Sequence, residues 1–198
     1  MSFLLVAFSL SVASAAEISG KVMAQGLMEP NDILVYLTKT PGFTKPPQKT
    51  YVMDQRNLTF LPHVLVIPVG AKVAFPNNDK VDHNVFSLSL TKKFNFGKYG
   101  PGVTHSVRFD KPGIVELRCD IHAEMRAYIL VMKSPYYALT DENGQYRIDI
   151  SGLPAGHYVL HTWRNKLKNH ATPIELNGTS SKVVDLKLHR GIPGVLYK

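Results

Sequence analysis

The chain has 198 residues, a formal charge of +8, 14 glycines, 13 prolines and one cysteine. That length allows one large or two small domains, since domains typically run about 100–150 residues, and two small ones are expected. Past the first residues no segment approaches the roughly 18 consecutive apolar residues of a membrane-spanning helix. A basic chain without a recognition motif is not read as a nucleic-acid binder; its charge points to a solvated basic face or to steering towards an acidic protein partner.

Residues 1–16 carry no charged side chain and pass from Phe3-Leu4-Leu5-Val6-Ala7-Phe8 to Ala13-Ser14-Ala15-Ala16. An apolar stretch followed by small residues predicts a signal peptide, hence an exported, periplasmic protein with no membrane span once matured. Export would place the single cysteine in an oxidising compartment, where a spare thiol is a liability unless buried or metallated.

Ile18-Ser19-Gly20-Lys21-Val22 and Asp32-Ile33-Leu34-Val35-Tyr36-Leu37 predict two strands, followed by a Pro-rich passage from Pro41 to Pro47. Thr59-Phe60-Leu61, His63 to Pro68 and Ala71 to Phe75 predict further strands, the last running into the Asn-rich loop Pro76-Asn77-Asn78-Asp79. Val103 to Phe109, Ile114 to Arg118 and Ala127 to Met132 follow, the first pair separated by a Lys111-Pro112-Gly113 turn. Near the C-terminus, Thr140 to Ile148 and Leu153 to Leu160 read as two strands with Asn-Gly and Pro-Ala-Gly turns. Period-two alternation recurs and helical periodicity is nearly absent, so the fold class is all-β.

Chemistry concentrates in Cys119-Asp120-Ile121-His122-Ala123-Glu124-Met125 and in His83 upstream. Alternation puts Val115, Leu117 and Cys119 on one face of a strand, so Cys119 enters from the core at the strand's end. His122 and Met125 then sit on the loop that follows, with His83 supplied by an earlier loop. One thiolate, two imidazoles and a weak axial thioether suit a copper ion that cycles by one electron. Zinc sites usually close with more than one cysteine and without thioether, and no Cys-x-x-Cys-His motif for haem is present. His157 and His161, four apart on a strand, share a face and form a weaker candidate for a second metal. Trp163, beside His161, is expected as a core residue of the outer sandwich described below.

From Thr59 to Met132 the pattern resembles the cupredoxins: Phe60-Leu61-Pro62, Val69-Gly70, Phe75-x-Asn77, His83-Asn84-Val85, Phe109-x-x-Pro112-Gly113 and Cys119-x-x-His122-x-x-Met125. The short spacing before Met125 is similar to that of amicyanin. The resemblance implies a Greek-key β-sandwich with one mononuclear type-1 copper held by His83, Cys119, His122 and Met125. It further implies that Asn84 locks the ligand loops together near Cys119, and that the edge of His122 is the electron exit, with apolar neighbours such as Pro101 and Ala123 around it.

Separately, Thr140-Asp141-x-x-Gly144-x-Tyr146 and Leu153-Pro154-x-Gly156-x-Tyr158, with Gly20-Lys21-Val22 and Val35-Tyr36-Leu37, resemble the carboxypeptidase regulatory-like, transthyretin-type sandwich. The expected organisation is a signal peptide over 1–16, the first part of an outer sandwich over 17–50, a cupredoxin domain over 51–134 and the second part of the outer sandwich over 135–198. The expected function is one-electron transfer between periplasmic redox partners, for example a dehydrogenase and a c-type cytochrome, without enzymatic turnover. The alternative is a copper-binding chaperone or storage protein.

Overall fold

The computed structural model describes residues 16–25, 29–45, 47–167, 169–178 and 180–189. The expected signal peptide, apart from Ala16, lies outside the described residues. Among these residues there is no helix, and the all-β class is met.

Two strands come first, β1 (Glu17–Gln25) and β2 (Leu34–Thr38). Then follow β3 (Thr50–Val52), β4 (Asp54–Arg56), β5 (Thr59–Leu61), β6 (Val64–Pro68), β7 (Ala71–Pro76) and β8 (His83–Ser87). The middle of the chain closes with β9 (Phe94–Tyr99), β10 (Thr104–Phe109), β11 (Gly113–Arg118) and β12 (Arg126–Met132). The last strands are β13 (Tyr137–Leu139), β14 (Gln145–Asp149), β15 (Gly156–Trp163), β16 (His170–Leu176), β17 (Lys182–Val183) and β18 (Leu186–His189).

Strands β3 to β12 make one sandwich from a sheet ordered β10-β7-β3 and a sheet ordered β6-β12-β11-β8-β9, with β4 and β5 as a hairpin beside them. Strands β1 and β2 find their partners far downstream. β1 lies between β14 and the parallel strands β17 and β18, while β2 lies between β13 and β15 in the order β13-β2-β15-β16. These two sheets make the outer sandwich.

Alternation decides where each core sits, because successive strand residues point to opposite faces. In β12, Ala127, Ile129 and Val131 enter the inner core with Phe60, Phe75, Phe109 and Leu117. Tyr128 and Leu130 turn the other way and meet Leu34, Val64 and Trp163. β2 repeats the device: Val35 and Leu37 join Ile18, Ile148 and Leu160 in the outer core, while Leu34 and Tyr36 face the junction. A sheet buried on both faces reads as an unbroken apolar run, as Ala127 to Met132 does. Fully burying a side chain of this size stabilises by about 1.5–3 kcal/mol, so the junction cluster couples the two sandwiches.

Among the described residues eight strands escape the sequence pattern: the short β3, β4, β13 and β17, then β16 and β18 near the C-terminal end, and β8 and β9 beside the site. His83, expected on a loop, opens β8, and β9 follows it. In β8 the residues His83, Asn84 and Val85 are all buried in succession, which hides a period of two. β9 is interrupted by Gly97 at a φ of 70° and by a register shift against β8.

Candidate metal centre

The register of β11 on β12, ending with Arg118 opposite Arg126, brings Cys119 and Met125 together at the mouth of the connecting loop. The Cys119 N–H donates to the Met125 carbonyl (3.4 Å) and the Met125 N–H to the His122 carbonyl (3.0 Å). This closes the loop into a compact turn at the end of two core strands. Val115, Leu117 and Cys119 all face the core, with Cys119 only 5% exposed, as the alternation predicts. Met125 is buried as well.

His83 arrives from the loop between β7 and β8, and Asn77 shapes that loop. Its buried amide donates to the carbonyls of Val81 (2.9 Å) and Tyr99 (3.2 Å), and its Oδ1 accepts the Asp79 N–H (3.0 Å). The carboxylate of Asp79 meets His83 Nε2 at 2.9 Å and accepts the Leu58 N–H at 2.7 Å and the Lys80 N–H at 2.8 Å. The Leu58 amide, with help from His83, holds the Asp79 carboxyl down at about 2. A carboxylate on one ring nitrogen keeps the proton there and leaves the other nitrogen free as a ligand, which fixes His83 with Nδ1 towards Cys119.

Leu58 itself has a φ of 58° beside Asn57 at 53°. A left-handed conformation costs a bulky L-residue about 1–2 kcal/mol. The Asp79 bond to the Leu58 amide therefore helps to hold the β4–β5 turn against the site.

The free nitrogens converge. His83 Nδ1 and His122 Nδ1 are 3.1 Å apart, and Cys119 Sγ is 3.8 Å from His122 Nδ1. All three donor atoms lie within 4.8 Å of one another, and among the described residues they form the one such group of three His, Cys, Asp or Glu donors. Donors bound at about 2.0–2.3 Å to one ion in a tetrahedral or trigonal set stand roughly 3.3–4.0 Å apart; the 3.8 Å pair lies in that range and the 3.1 Å pair just below it, so a single metal is accommodated by a small opening of the two imidazoles. A thiolate with two imidazoles is a donor set that suits copper by its softness. His83 is fully buried, whereas His122 is partly exposed on the surface loop.

Other residues take less expected places. The Asn84 amide donates to Asn95 Oδ1 at 2.8 Å, tying β8 to β9, rather than to the Cys119 loop. Its buried Oδ1 has no hydrogen-bond partner. Tyr99 pairs with His83 in the sheet, and burial pushes its phenol up to about 12. That hydroxyl takes part in a bond with Gln55 Nε2 and donates to the Phe75 carbonyl. Among the described residues His157 and His161 gather no third donor: His161 Nε2 bonds Thr38 Oγ1 at 3.1 Å and its ring stacks on Tyr36 at 5.3 Å. Trp163 packs on Tyr128 at the junction, at 5.3 Å between ring centres, instead of in the outer core.

Sequence reasoning passed over Asp79 and gave Asn77 no role. The available signal was their place in an Asn/Asp-rich segment that ends four residues before a ligand-type histidine, where short polar side chains bond nearby backbone.

Comparison with solved structures finds cupredoxins over about half of the chain. A purple cupredoxin from Nitrosopumilus maritimus is 24% identical over 43% of this chain and 100% of its own, with a TM-score of 0.37. The reduced Cu(I) form of a point mutant of amicyanin is 18% identical over 50% of this chain and 98% of its own, with a TM-score of 0.40. A copper-containing nitrite reductase from Thermus scotoductus SA-01 is 23% identical over 56% of this chain and 28% of its own, with a TM-score of 0.41. No protein-family model matches the chain, and no curated protein matches it. Residue roles therefore rest on the geometry of the site itself.

Proposed function

We propose that this chain is an exported one-electron carrier built around a single type-1 copper, which His83 Nδ1, Cys119 Sγ and His122 Nδ1 would hold as strong ligands with the Met125 thioether as a weak fourth. The observation that carries the reading is the convergence of three buried or half-buried donors, one of them already oriented by Asp79. Copper in such a set supplies a reversible Cu(II)/Cu(I) couple. Cys119 and His83 would hold it from the strand ends of a rigid core, and the buried Met125 would help to exclude water. His122, on the exposed loop, is the natural electron exit. Next to it in the chain, Ile121 is 44% exposed, and Val81, in the loop that leads to His83, is 43% exposed; these would supply apolar contact for a transient partner.

The protein would act without substrate chemistry of its own, between periplasmic redox partners such as a dehydrogenase and a c-type cytochrome. We further infer that residues 51–134 are a cupredoxin domain inserted into a transthyretin-like outer sandwich formed by 17–50 and 135–198. The pairing of β1 and β2 with strands beyond Tyr137 supports that division.

Adding Cu(II) to the purified protein is the direct test. An intense visible thiolate-to-copper band with a small copper hyperfine splitting in the paramagnetic resonance spectrum is expected; a pale, ordinary copper spectrum overturns the type-1 reading. Retention of the metal against a chelator through repeated reduction and oxidation separates the carrier from a chaperone or store, which would release it.

A further inference from the structure

The junction between the two sandwiches holds a cavity of about 500 Å³. Small-molecule sites span roughly 300–1,000 Å³ and occur preferentially at domain interfaces. The outer sandwich contributes Leu34, Tyr36 and Trp163 to the wall, and the inner one Ile114, Leu130 and Met132. Three hydroxyls of the lining are already engaged: Thr38 Oγ1 with His161 Nε2 at 3.1 Å, and Thr40 Oγ1 with Ser134 Oγ at 2.7 Å. Those three hydroxyls already have protein partners, and the rest of the wall named above is mostly apolar side chain.

The charge on the cavity has one sign. Lys39 and Lys133 line it, both are exposed, and no carboxylate does. Each lysine directly follows a strand, β2 or β12, so each stands where the chain crosses between the sandwiches. The two crossings are held side by side by the Thr40–Ser134 bond and by the Phe43 N–H on the Lys133 carbonyl (3.2 Å). The lysines thus gather at one place on the rim, and neither forms an ion pair among the described residues.

The wall is also open. Ile114, opposite Leu130 in the β11–β12 register, remains 43% exposed. The register that sets Phe86 against Arg118, carried past the end of β8, places Leu90 next to Ile114, and Leu90 is 89% exposed. The Glu116 N–H bond to Ser89 Oγ at 2.9 Å shows that this segment follows β11. Apolar surface continues outward from the cavity where a soluble chain would ordinarily present polar groups.

We propose that this cavity binds an anionic amphiphile, with its apolar chain between Leu130, Met132 and Trp163 and its negative head at Lys39 and Lys133. Lining, rim charge and opening each match one part of such a molecule, and the same chemistry belongs to a free long-chain carboxylate and to an anionic membrane lipid.

Trp163 is the sole tryptophan of the chain, so its fluorescence reports the site. The full-length protein is titrated with sodium dodecanoate below micelle formation, and with dodecyltrimethylammonium as the same tail with the opposite charge. The proposal expects a saturable change with dodecanoate, at least tenfold weaker binding of the cation, and at least tenfold weaker binding of dodecanoate to the double variant Lys39→Asn/Lys133→Gln. Asparagine is chosen because Lys39 has a φ of 62°, which asparagine tolerates. A metal-site spectrum equal to that of the parent shows that the variant is folded. No saturable change, or equal affinities for both amphiphiles and for both proteins, overturns the proposal. Lysine-dependent sedimentation with phosphatidylglycerol vesicles in addition to dodecanoate binding identifies the lipid source; sedimentation without dodecanoate binding overturns the cavity as the site.

Discussion

The two sandwiches of this chain are built alike and filled differently. Both place two sheets over an aliphatic core, yet among the described residues the inner one buries Gln55, Asn77, His83, Asn84 and Ser87, whereas the outer one buries the threonines Thr140 and Thr162, apart from Ser134 at the junction. Thr140 is plainly structural, since its hydroxyl accepts the Ile33 N–H and donates to the Pro30 carbonyl. Gln55 Oε1 and Asn84 Oδ1 in the inner sandwich, and Thr172 Oγ1 in the outer one, are buried without a partner. A buried unpaired oxygen costs about 1–3 kcal/mol. Proteins concentrate such violations of local consistency at functional sites, and two of these three oxygens lie in the unit that carries the three converging donors.

The largest effect that sharpens this contrast is expected from Cys119→Ser, which should abolish the thiolate band and leave the far-ultraviolet circular dichroism unchanged. Retention of the band would remove Cys119 from the site. Core truncation comes next. Phe109→Ala in the inner sandwich should destabilise by about 3–5 kcal/mol and Leu160→Ala in the outer by about 2–5 kcal/mol. Because β12 feeds both the inner core and the junction, thermal unfolding of either variant should show one transition, with copper colour and circular dichroism lost together. Two separated transitions would mean that the halves are energetically independent.

A pair of aspartates offers a finer comparison. Asp141 in the outer sandwich accepts the amides of Asn143 (2.9 Å) and Gln145 (2.8 Å), a turn role alone, whereas Asp79 adds His83 to its amides. Asp79→Ala should weaken copper binding by about 10–100-fold, as loss of a partner to a ligating histidine does. Asp141→Ala should lower the melting temperature and leave copper affinity as it was. Competition with a chelator reads both, and equal affinities in the two variants would deny Asp79 its orienting role.

The smallest effect concerns pH. Burial at the junction lowers the pKa of His161 below its ordinary value of 6.5. The folded state therefore resists protonation: the stability this group contributes is complete above its unfolded value and is lost as pH falls through that value towards the folded one. Between pH 7.5 and 5 the melting temperature should decline, and His161→Gln should flatten that decline. An unchanged slope would show that His161 is not the group responsible.

Much of the inner sandwich is legible because one face of its strands is apolar and the other polar. In β11 the alternation alone aims Cys119 at the core, and the spacing to His122 and Met125 matches a turn that the structure closes with two backbone bonds. Legibility fails where polar residues are buried for a purpose. His83 and Asn84 conceal β8, and Asp79 looks like any acidic turn residue until its partners are seen. It fails again where a strand has two dry faces: nothing in Ala127-Tyr128-Ile129-Leu130-Val131-Met132 says that alternate residues serve different cores, so Trp163 could not be assigned to the junction.

The long reach of the first two strands also bears on how the chain becomes a protein. The Ile33 amide waits for Thr140, 107 residues away, and Glu17 waits for Asp149. At about 5–20 residues per second during synthesis, that interval lasts roughly 5–20 s. The inner sandwich, whose partners lie closer together in the chain, can assemble within it, while β1 and β2 remain without neighbours. Unpaired edges are hazards for aggregation, so during synthesis the exposed stage belongs to the strands of the outer sandwich, even though the donors lie in the inner one.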